Sequence, residues 1–220
     1  MEPVRSVVSL DIGGTLGDAQ GPGIAAYLAA ASPLGPRQAR RIMRDILHTA
    51  PRITDAVIER VCQALGIAAS AFPRELPVAP LELFPGTVEV LRELSAGSTL
   101  VTLSNVICTE AEPERLDRLL TPWVSAQFPS CRTGFAKPDR RAFQMVADTY
   151  RLPPEQLVHV GDDWECDVIG AAAAGLSAVW ISRGRAVPGG PLLVEHDIRV
   201  AYDLADAVQH VRHLLQRRTP

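Results

Sequence analysis

Side chains that could bind a metal ion or an anion follow short apolar segments in this chain of 220 residues. One such segment ends at Asp11, a second is directly followed by Ser104 and Asn105, and a third ends two residues before Asp162. Several carboxylates in one empty site would repel one another, and a hard divalent cation with oxygen ligands removes that repulsion, most often Mg²⁺ where protein carboxylates are few. The carboxylates grouped after the 157–160 segment are Asp162, Asp163 and Asp167.

A single lysine, Lys137, stands out among the basic residues. The other 21 of the 22 lysines and arginines are arginine. An ammonium is a compact point charge, whereas a guanidinium is a broad planar fork, so the two are not interchangeable at a crowded site. We therefore treat Lys137 as a candidate for a role that arginine cannot fill.

The elements that would position these residues alternate along the chain. Short apolar runs predict strands at 6–11, 99–103, 124–128, 157–160 and 177–181. Helical periodicity predicts helices at 87–96, 113–120, 139–150, 166–175 and 203–217. Such alternation is typical of an α/β fold with a doubly wound parallel sheet. Ligands of these sheets bind beyond the carboxyl ends of the strands, where the polar residues lie.

The first strand is separated from the second by a long helical segment. Residues 22–73 contain no strand-like run, and Gly66 is a plausible helix stop. Helices are expected at 22–31, 36–48 and 53–65, before a proline-rich linker. The chain is therefore divided into an α/β core, residues 1–16 and 85–220, and a helical insertion, residues 17–84.

Composition restricts the class of protein. With 25 acidic and 22 basic residues and a net charge of -3, the chain lacks the electrostatic footprint of a nucleic-acid-binding protein. No apolar run approaches the ~20 residues of a membrane span, and the apolar start is too short for a signal peptide. We expect a cytoplasmic monomer or homodimer with no membrane partner. The 4 cysteines show no CxxC spacing and are expected as free thiols.

Four segments, in order, resemble the motifs of the haloacid dehalogenase (HAD) superfamily. They are LDIGGTL at 10–16, VTLSN at 101–105, GFAKPD at 134–139, and GDDWECD at 161–167 with GAAAAG at 170–175. The resemblance covers essentially the whole chain, and the helical insertion is similar to the family's cap. It implies a Rossmann-like core with a cap domain and a phosphatase-like hydrolase acting on a small phosphorylated metabolite.

The resemblance also implies a role for each motif residue. Asp11 would be the nucleophile and would form a phosphoaspartyl intermediate that water then hydrolyses. Lys137 and Ser104 would complete the catalytic set by binding the phosphoryl oxygens. The residues expected to contact phosphate or substrate are Gly14, Thr15 and Asn105. The expected Mg²⁺ ligands are Asp11, the carbonyl of Gly13, and Asp162, with Asp163 or Asp167 holding bound waters.

The chain departs from the family at Gly13, where its phosphatases carry a second aspartate. That aspartate protonates the leaving oxygen and then activates water, and such help is worth ~10²–10⁴-fold. Glycine can do neither, so the expected enzyme is impaired or restricted to good leaving groups. Asp18, Asp163 or Glu165 could substitute, but the sequence does not place them.

Two other activities remain open at this point. A catalytically weak homologue that binds a phosphorylated ligand or a protein would explain the missing acid, although Asp11, Lys137 and Asp162 are retained. A 2-haloacid dehalogenase would need no acid, since halide leaves without a proton. A phosphonate hydrolase is disfavoured because residues 22–84 contain no lysine.

Overall fold

The computed structural model describes residues 6–76, 78–110, 118–188 and 191–217. Its strands are β1 (Val7–Leu10), β2 (Gly17–Ala19), β3 (Leu81–Leu83), β4 (Thr99–Ser104), β5 (Val124–Pro129), β6 (Leu157–Gly161), β7 (Ser177–Ile181) and β8 (Ile198–Ala201). Its α-helices are α1 (Ile24–Ala31), α2 (Pro36–Ile46), α3 (Asp55–Leu65), α4 (Thr87–Ser95), α5 (Ser130–Thr133), α6 (Arg140–Tyr150), α7 (Gly170–Ala173), α8 (Pro191–Glu195) and α9 (Leu204–Gln216).

A parallel sheet of 6 strands forms the centre of the molecule, in the order β5-β4-β1-β6-β7-β8. The chain order reverses at β1, which pairs with β4 on one side and β6 on the other. Leu10 of β1 is in register with Thr102 and Val160. The carboxyl ends of these three strands therefore lie side by side, which is where ligands bind in doubly wound sheets.

Helices cover both faces of the sheet, as expected for strands buried on two sides. Val7 and Val8 are fully buried and point to opposite faces, because side chains alternate along a strand. Val8 belongs to an apolar cluster with α4 and α9, and Val7 to a second cluster with α6 and α7. The α/β class predicted from the alternating pattern is confirmed.

The helical insertion has an apolar cluster of its own, built from α1, α2 and α3 and including Leu28, Met43 and Val61. Helix α3 begins at a capping bond from the amide of Val57 to the Thr54 side chain, 3.3 Å long. It ends at Gly66 in the left-handed conformation, as the sequence predicts.

Some elements differ from the sequence expectation. Residues at both ends of the insertion pair as an antiparallel ribbon, β2 with β3, and β3 lies in the proline-rich stretch that was expected to be a linker. At Gly17 the ribbon comes so close to the carbonyl of Glu82 that a Cβ would collide with it. Strand β8 was not predicted, and the helix expected at 166–175 begins earlier, with a wide π-helical turn at Trp164–Ile169. The helix expected at 113–120 falls mostly outside the described residues.

Candidate active site

The ends of the three central strands bring the predicted residues together. Asp11 follows β1, Ser104 ends β4, and Asp162 follows β6. All three side chains, together with Lys137, line one cavity of about 870 Å³. Positions widely separated in sequence therefore share a single site because parallel strands end at the same edge of the sheet.

Lys137 lies at the floor of this cavity with its side chain only 2% exposed. Its Nζ donates to Asp11 Oδ1 at 2.8 Å and to Asp167 Oδ1 at 2.6 Å. Burial alone would lower the pKa of Lys137, but the two carboxylates outweigh it and raise that pKa. The ammonium therefore stays charged and bridges the nucleophile candidate to a second carboxylate.

Asn105 holds the backbone of Lys137. Its Oδ1 accepts from the amide of Lys137 at 2.7 Å, and its Nδ2 donates to the carbonyl of the same residue at 2.8 Å. This pair of bonds uses the amide group to position the lysine. The geometry favours a positioning role for Asn105 over the phosphate contact expected from sequence.

Three carboxylates lie close enough to share a cation. Asp11, Asp162 and Asp167 each offer an oxygen, and these oxygens lie within 4.8 Å of one another. Burial raises the pKa of Asp11 to about 7, against the opposing effect of Lys137. Burial also raises the pKa of Asp162, and the nearby Asp167 adds to it. A bound cation would stabilise both groups in their charged form.

Asp167 is the most constrained of the three. Its Oδ1 accepts from Lys137 and lies 3.2 Å from His159 Nε2, while its Oδ2 accepts from the amide of Asp163 at 2.8 Å. Burial opposes ionisation here, but Lys137 and His159 lower the pKa of Asp167 well below its usual value. Gly161 makes room for this carboxyl, because a Cβ at that position would overlap it.

Two of the other acidic candidates have structural partners. Asp163 Oδ1 accepts from the amide of Cys166 at 2.8 Å and caps the π-helical turn. Asp18 Oδ1 accepts from the amide of Gly14 at 2.8 Å. Each carboxylate therefore stabilises its own loop.

Thr15 and Gly14 lie next to the site without facing the cavity. The Thr15 side chain is buried, and its Oγ1 has no hydrogen-bond partner among the described residues. The Gly14 amide already donates to Asp18, and neither residue is among those lining the cavity. Their contact with substrate stays a prediction, and this geometry does not support it.

The space at Gly13 is open. Among the described residues, a Cβ built there meets no atom within 4 Å apart from those of its chain neighbours, and Gly13 is not in the left-handed region. At Gly14, by contrast, φ is 72° and a Cβ would approach Asp162 Oδ1 to 2.5 Å. The position that lacks the family's acid could therefore accept a side chain, and its neighbour could not.

Four residues missed by the sequence analysis contact the site. Ser9 Oγ lies 2.8 Å from His159 Nδ1, in the buried layer beneath Asp167. Arg185 donates to the Asp162 carbonyl at 2.7 Å, and Arg183 donates to the Gly14 carbonyl at 2.6 Å. The signal for the first pair was a polar residue in the middle of each of two apolar strands. The two arginines follow β7 in a stretch for which the sequence predicted no element.

The insertion forms part of the cavity wall. Helix α2 contributes Arg37, Arg40, Arg41 and Arg44 to the lining. Arg44 also reaches the core, with Nη1 3.4 Å from Glu165 Oε1 and 3.8 Å from Cys166 Sγ.

In the part of the chain described here, no helix is long and apolar enough to cross a membrane.

Comparison with known proteins agrees with this architecture. The chain is 31% identical over 164 residues to a phosphoserine phosphatase of Thermus thermophilus, covering 74% of this chain and 60% of that protein. It is 34% identical over 136 residues to a ribulose-1,5-bisphosphate 5-phosphatase of Halopiger xanaduensis, covering 60% of this chain and 52% of that protein. The chain thus spans little more than half the length of these relatives.

A solved structure extends the likeness to the whole fold. The 2-haloacid dehalogenase of Pseudomonas syringae superposes with a TM-score of 0.62 at 20% identity, covering 97% of this chain and 99% of that one. The sequence profile of the haloacid dehalogenase-like hydrolase family matches residues 6–175. The chain belongs to the haloacid dehalogenase-like hydrolase family.

Proposed function

We propose that the protein hydrolyses phosphate monoesters of a small metabolite, with Asp11 as nucleophile. The observation that carries this proposal is the buried ammonium of Lys137, placed between the carboxylates of Asp11 and Asp167. A carboxylate approaches an anionic phosphoryl group only where positive charge offsets the repulsion. The phosphatases among the chain's relatives support the same reaction class.

The reaction would proceed in two displacements at phosphorus. An Asp11 carboxylate oxygen bonds to phosphorus while the ester P–O bond breaks, and the leaving oxygen takes a proton from water, since Gly13 supplies none. Water then attacks the phosphoaspartate, which releases inorganic phosphate and restores the carboxylate. Lys137 and Ser104 line the cavity, and their ammonium and hydroxyl would bind the phosphoryl oxygens.

The cluster formed by Asp11, Asp162 and Asp167 fits Mg²⁺, because its ligand atoms are hard carboxylate oxygens that would otherwise repel one another. Asp11, Asp162 and the Gly13 carbonyl would hold the ion, and Asp167 would hold its waters in preference to Asp163, whose side chain caps a helical turn. When bound, the ion would neutralise charge on the phosphoryl group.

Gly13 would set which esters react. Without an acid at this position, the leaving oxygen must depart with little help, so esters of weakly basic alcohols such as phenols should react best. The helical insertion, residues 17–84, would act as the cap over residues 1–16 and 85–220 and would select the substrate. The core carboxylates around Lys137 favour this chemistry over halide displacement, which has no need of a cation site.

An assay with an aryl phosphate and an alkyl phosphate tests the proposal. With Mg²⁺ present, we expect measurable aryl turnover that exceeds alkyl turnover by roughly 10²-fold or more, because only the alkyl ester depends strongly on the missing acid. Asp11→Asn should abolish both, and chelation of the metal should do the same.

Two results would decide for other functions. If neither ester is hydrolysed in an Asp11-dependent manner, the chain is better described as a binding protein. Release of halide from a 2-haloacid without added metal would instead identify a dehalogenase.

A further inference from the structure

Helix α2 of the insertion gives a basic lining to the cavity that Asp11 also lines. Helix α2 spans 11 residues and carries Arg37, Arg40, Arg41 and Arg44, all of which line the cavity. Their spacing of three, four and seven places them on one helical face. The other face, with Ala39 and Met43 buried, packs into the insertion's own apolar cluster. The arginine face is therefore directed toward the reaction site by the packing of the helix.

This arrangement is unfavourable for the helix itself. Like charges three and four residues apart destabilise a helix, and α2 contains only one acidic residue, Asp45. The first turn of α2 has no acidic residue and its N-cap has no side-chain bond, so Arg37 also opposes the helix dipole. A surface helix gains nothing from such a pattern, whereas an anion in the cavity would relieve it.

The protein itself neutralises only part of this charge. Arg44 is paired with Glu165, and Arg41 lies 3.8 Å from Asp45 with its side chain 76% exposed. Within the described ranges, neither Arg37 nor Arg40 has a carboxylate at ion-pair distance. Burial and the neighbouring Arg44 lower the pKa of His48, which also lines the cavity, to about 4, so it adds no charge at neutral pH.

We propose that the arginine face of α2 is a subsite for a second anionic group of the substrate. The substrate class would be a phosphate monoester that carries a carboxylate or a second phosphoryl group at the end distant from the ester. Its reacting phosphoryl group would face Lys137, and its distal anion would face Arg37 and Arg40. Guanidinium forks suit both anions, because each accepts paired hydrogen bonds. This inference rests on the proposed function for the position of the reacting phosphoryl group.

Inert ligands test the subsite without requiring turnover. We suggest calorimetric titration, in Mg²⁺ buffer, of benzylphosphonate and its 4-carbamoyl, 4-carboxy and 4-phosphono derivatives. The carbamoyl compound matches the carboxylate in shape but is uncharged. The subsite predicts that a charged derivative binds at least tenfold more tightly than the carbamoyl compound. The two charged ligands show whether a carboxylate or a phosphoryl group is preferred.

Two double variants with the same loss of charge assign any preference to α2. Arg37→Gln with Arg40→Gln should reduce the charged-to-neutral affinity ratio to near one. Arg52→Gln with Arg60→Gln, exposed positions in the insertion that do not line the cavity, should leave it unchanged. The ratio within each variant is independent of the folded fraction.

The outcomes separate this subsite from the reaction itself. Equal affinity for the charged and neutral ligands in the unaltered protein overturns the subsite and leaves the phosphatase proposal standing. Loss of the preference in both double variants also overturns it, since the effect would then be long-range charge. If no phosphonate binds to the unaltered protein, and Lys137→Met hydrolyses an aryl phosphate as fast as the unaltered protein does, the proposed phosphoryl site is wrong. The proposed subsite is then wrong as well, because it depends on that site.

Discussion

Replacing Lys137 with methionine is expected to lower kcat for an aryl phosphate by about 10²–10³-fold, the usual effect of removing one preorganised stabilising group. Methionine keeps most of the length of the side chain but removes the charge that lies 2.8 Å from Asp11 and 2.6 Å from Asp167. Both carboxylates are then left without their common partner. Steady-state kinetics with saturating Mg²⁺ measure the effect.

Lys137→Arg makes the same test more specific. It keeps the positive charge, but the site is only 2% exposed and has been filled by a compact ammonium, so a broad guanidinium should not restore turnover. Arg60→Gln, an exposed change on α3, serves as the control and should leave kcat unchanged. Normal turnover in either Lys137 variant would contradict the assigned role.

Lys137→Met should also lower the free energy of unfolding of the protein in the absence of metal. Removing one partner from a buried ion pair typically costs about 3–5 kcal/mol, because the remaining charge is left unpaired. Here two carboxylates lose their counter-charge, although Asp11 can relieve part of the cost by protonation, since its pKa already lies near 7. Urea denaturation of the Lys137→Met and unaltered proteins would measure the difference.

Gly13→Asp is expected to raise turnover of an alkyl phosphate by about 10²–10⁴-fold, the range that general acid–base help contributes. The structure leaves room for the change, since a Cβ at Gly13 meets no atom within 4 Å. The aryl phosphate should gain as well, because the restored carboxylate can activate the water that hydrolyses the phosphoaspartate, even though its leaving group needs a proton less. Parallel assays of the two esters measure both effects.

Gly13→Asn is the matched control for this gain. Asparagine has nearly the same shape as aspartate but transfers no proton, so it should leave alkyl turnover low. An equal gain in the two variants would assign the effect to shape or ordering of the loop. No gain in Gly13→Asp would mean that another group already supplies the proton.

The fold was predictable where local pattern and global architecture agree. The strand that contains Val7 and Val8 is apolar and β-branched and is buried on both faces, so composition alone identifies it. Strand β8 lies at the sheet edge, is only 4 residues long and has a half-buried arginine in its middle, which makes it a weak signal. The β2–β3 ribbon depends on a pairing between the two ends of the insertion, which no local pattern reveals.

The sequence predicted which residues belong to the site better than it predicted the contacts between them. The strand-end rule brought Asp11, Ser104 and Asp162 to one edge, and the lone lysine marked Lys137. What each side chain contacts depends on three-dimensional distances. Asn105 could not be recognised from sequence as the residue that holds the Lys137 backbone.

The hydrogen bonds between buried polar side chains were the part of the site that was hardest to predict from the sequence. Ser9 and His159 are paired in register on β1 and β6, so their contact follows only once that register is known. The open space beside Gly13 is likewise a property of the folded loop. The sequence identifies the types of residue at the strand ends, and the structure shows which of them share hydrogen bonds.

The central claim is that Asp11 becomes covalently phosphorylated during turnover. The most direct measurement is mass spectrometry of protein quenched in acid during steady-state hydrolysis of an aryl phosphate, followed by peptide mapping. Because Gly13 supplies no base for hydrolysis of the intermediate, we expect one phosphoryl group to accumulate on the Asp11 peptide of the unaltered protein and none on that of Asp11→Asn. Aryl turnover that leaves Asp11 unmodified, or that persists in Asp11→Asn, would contradict it.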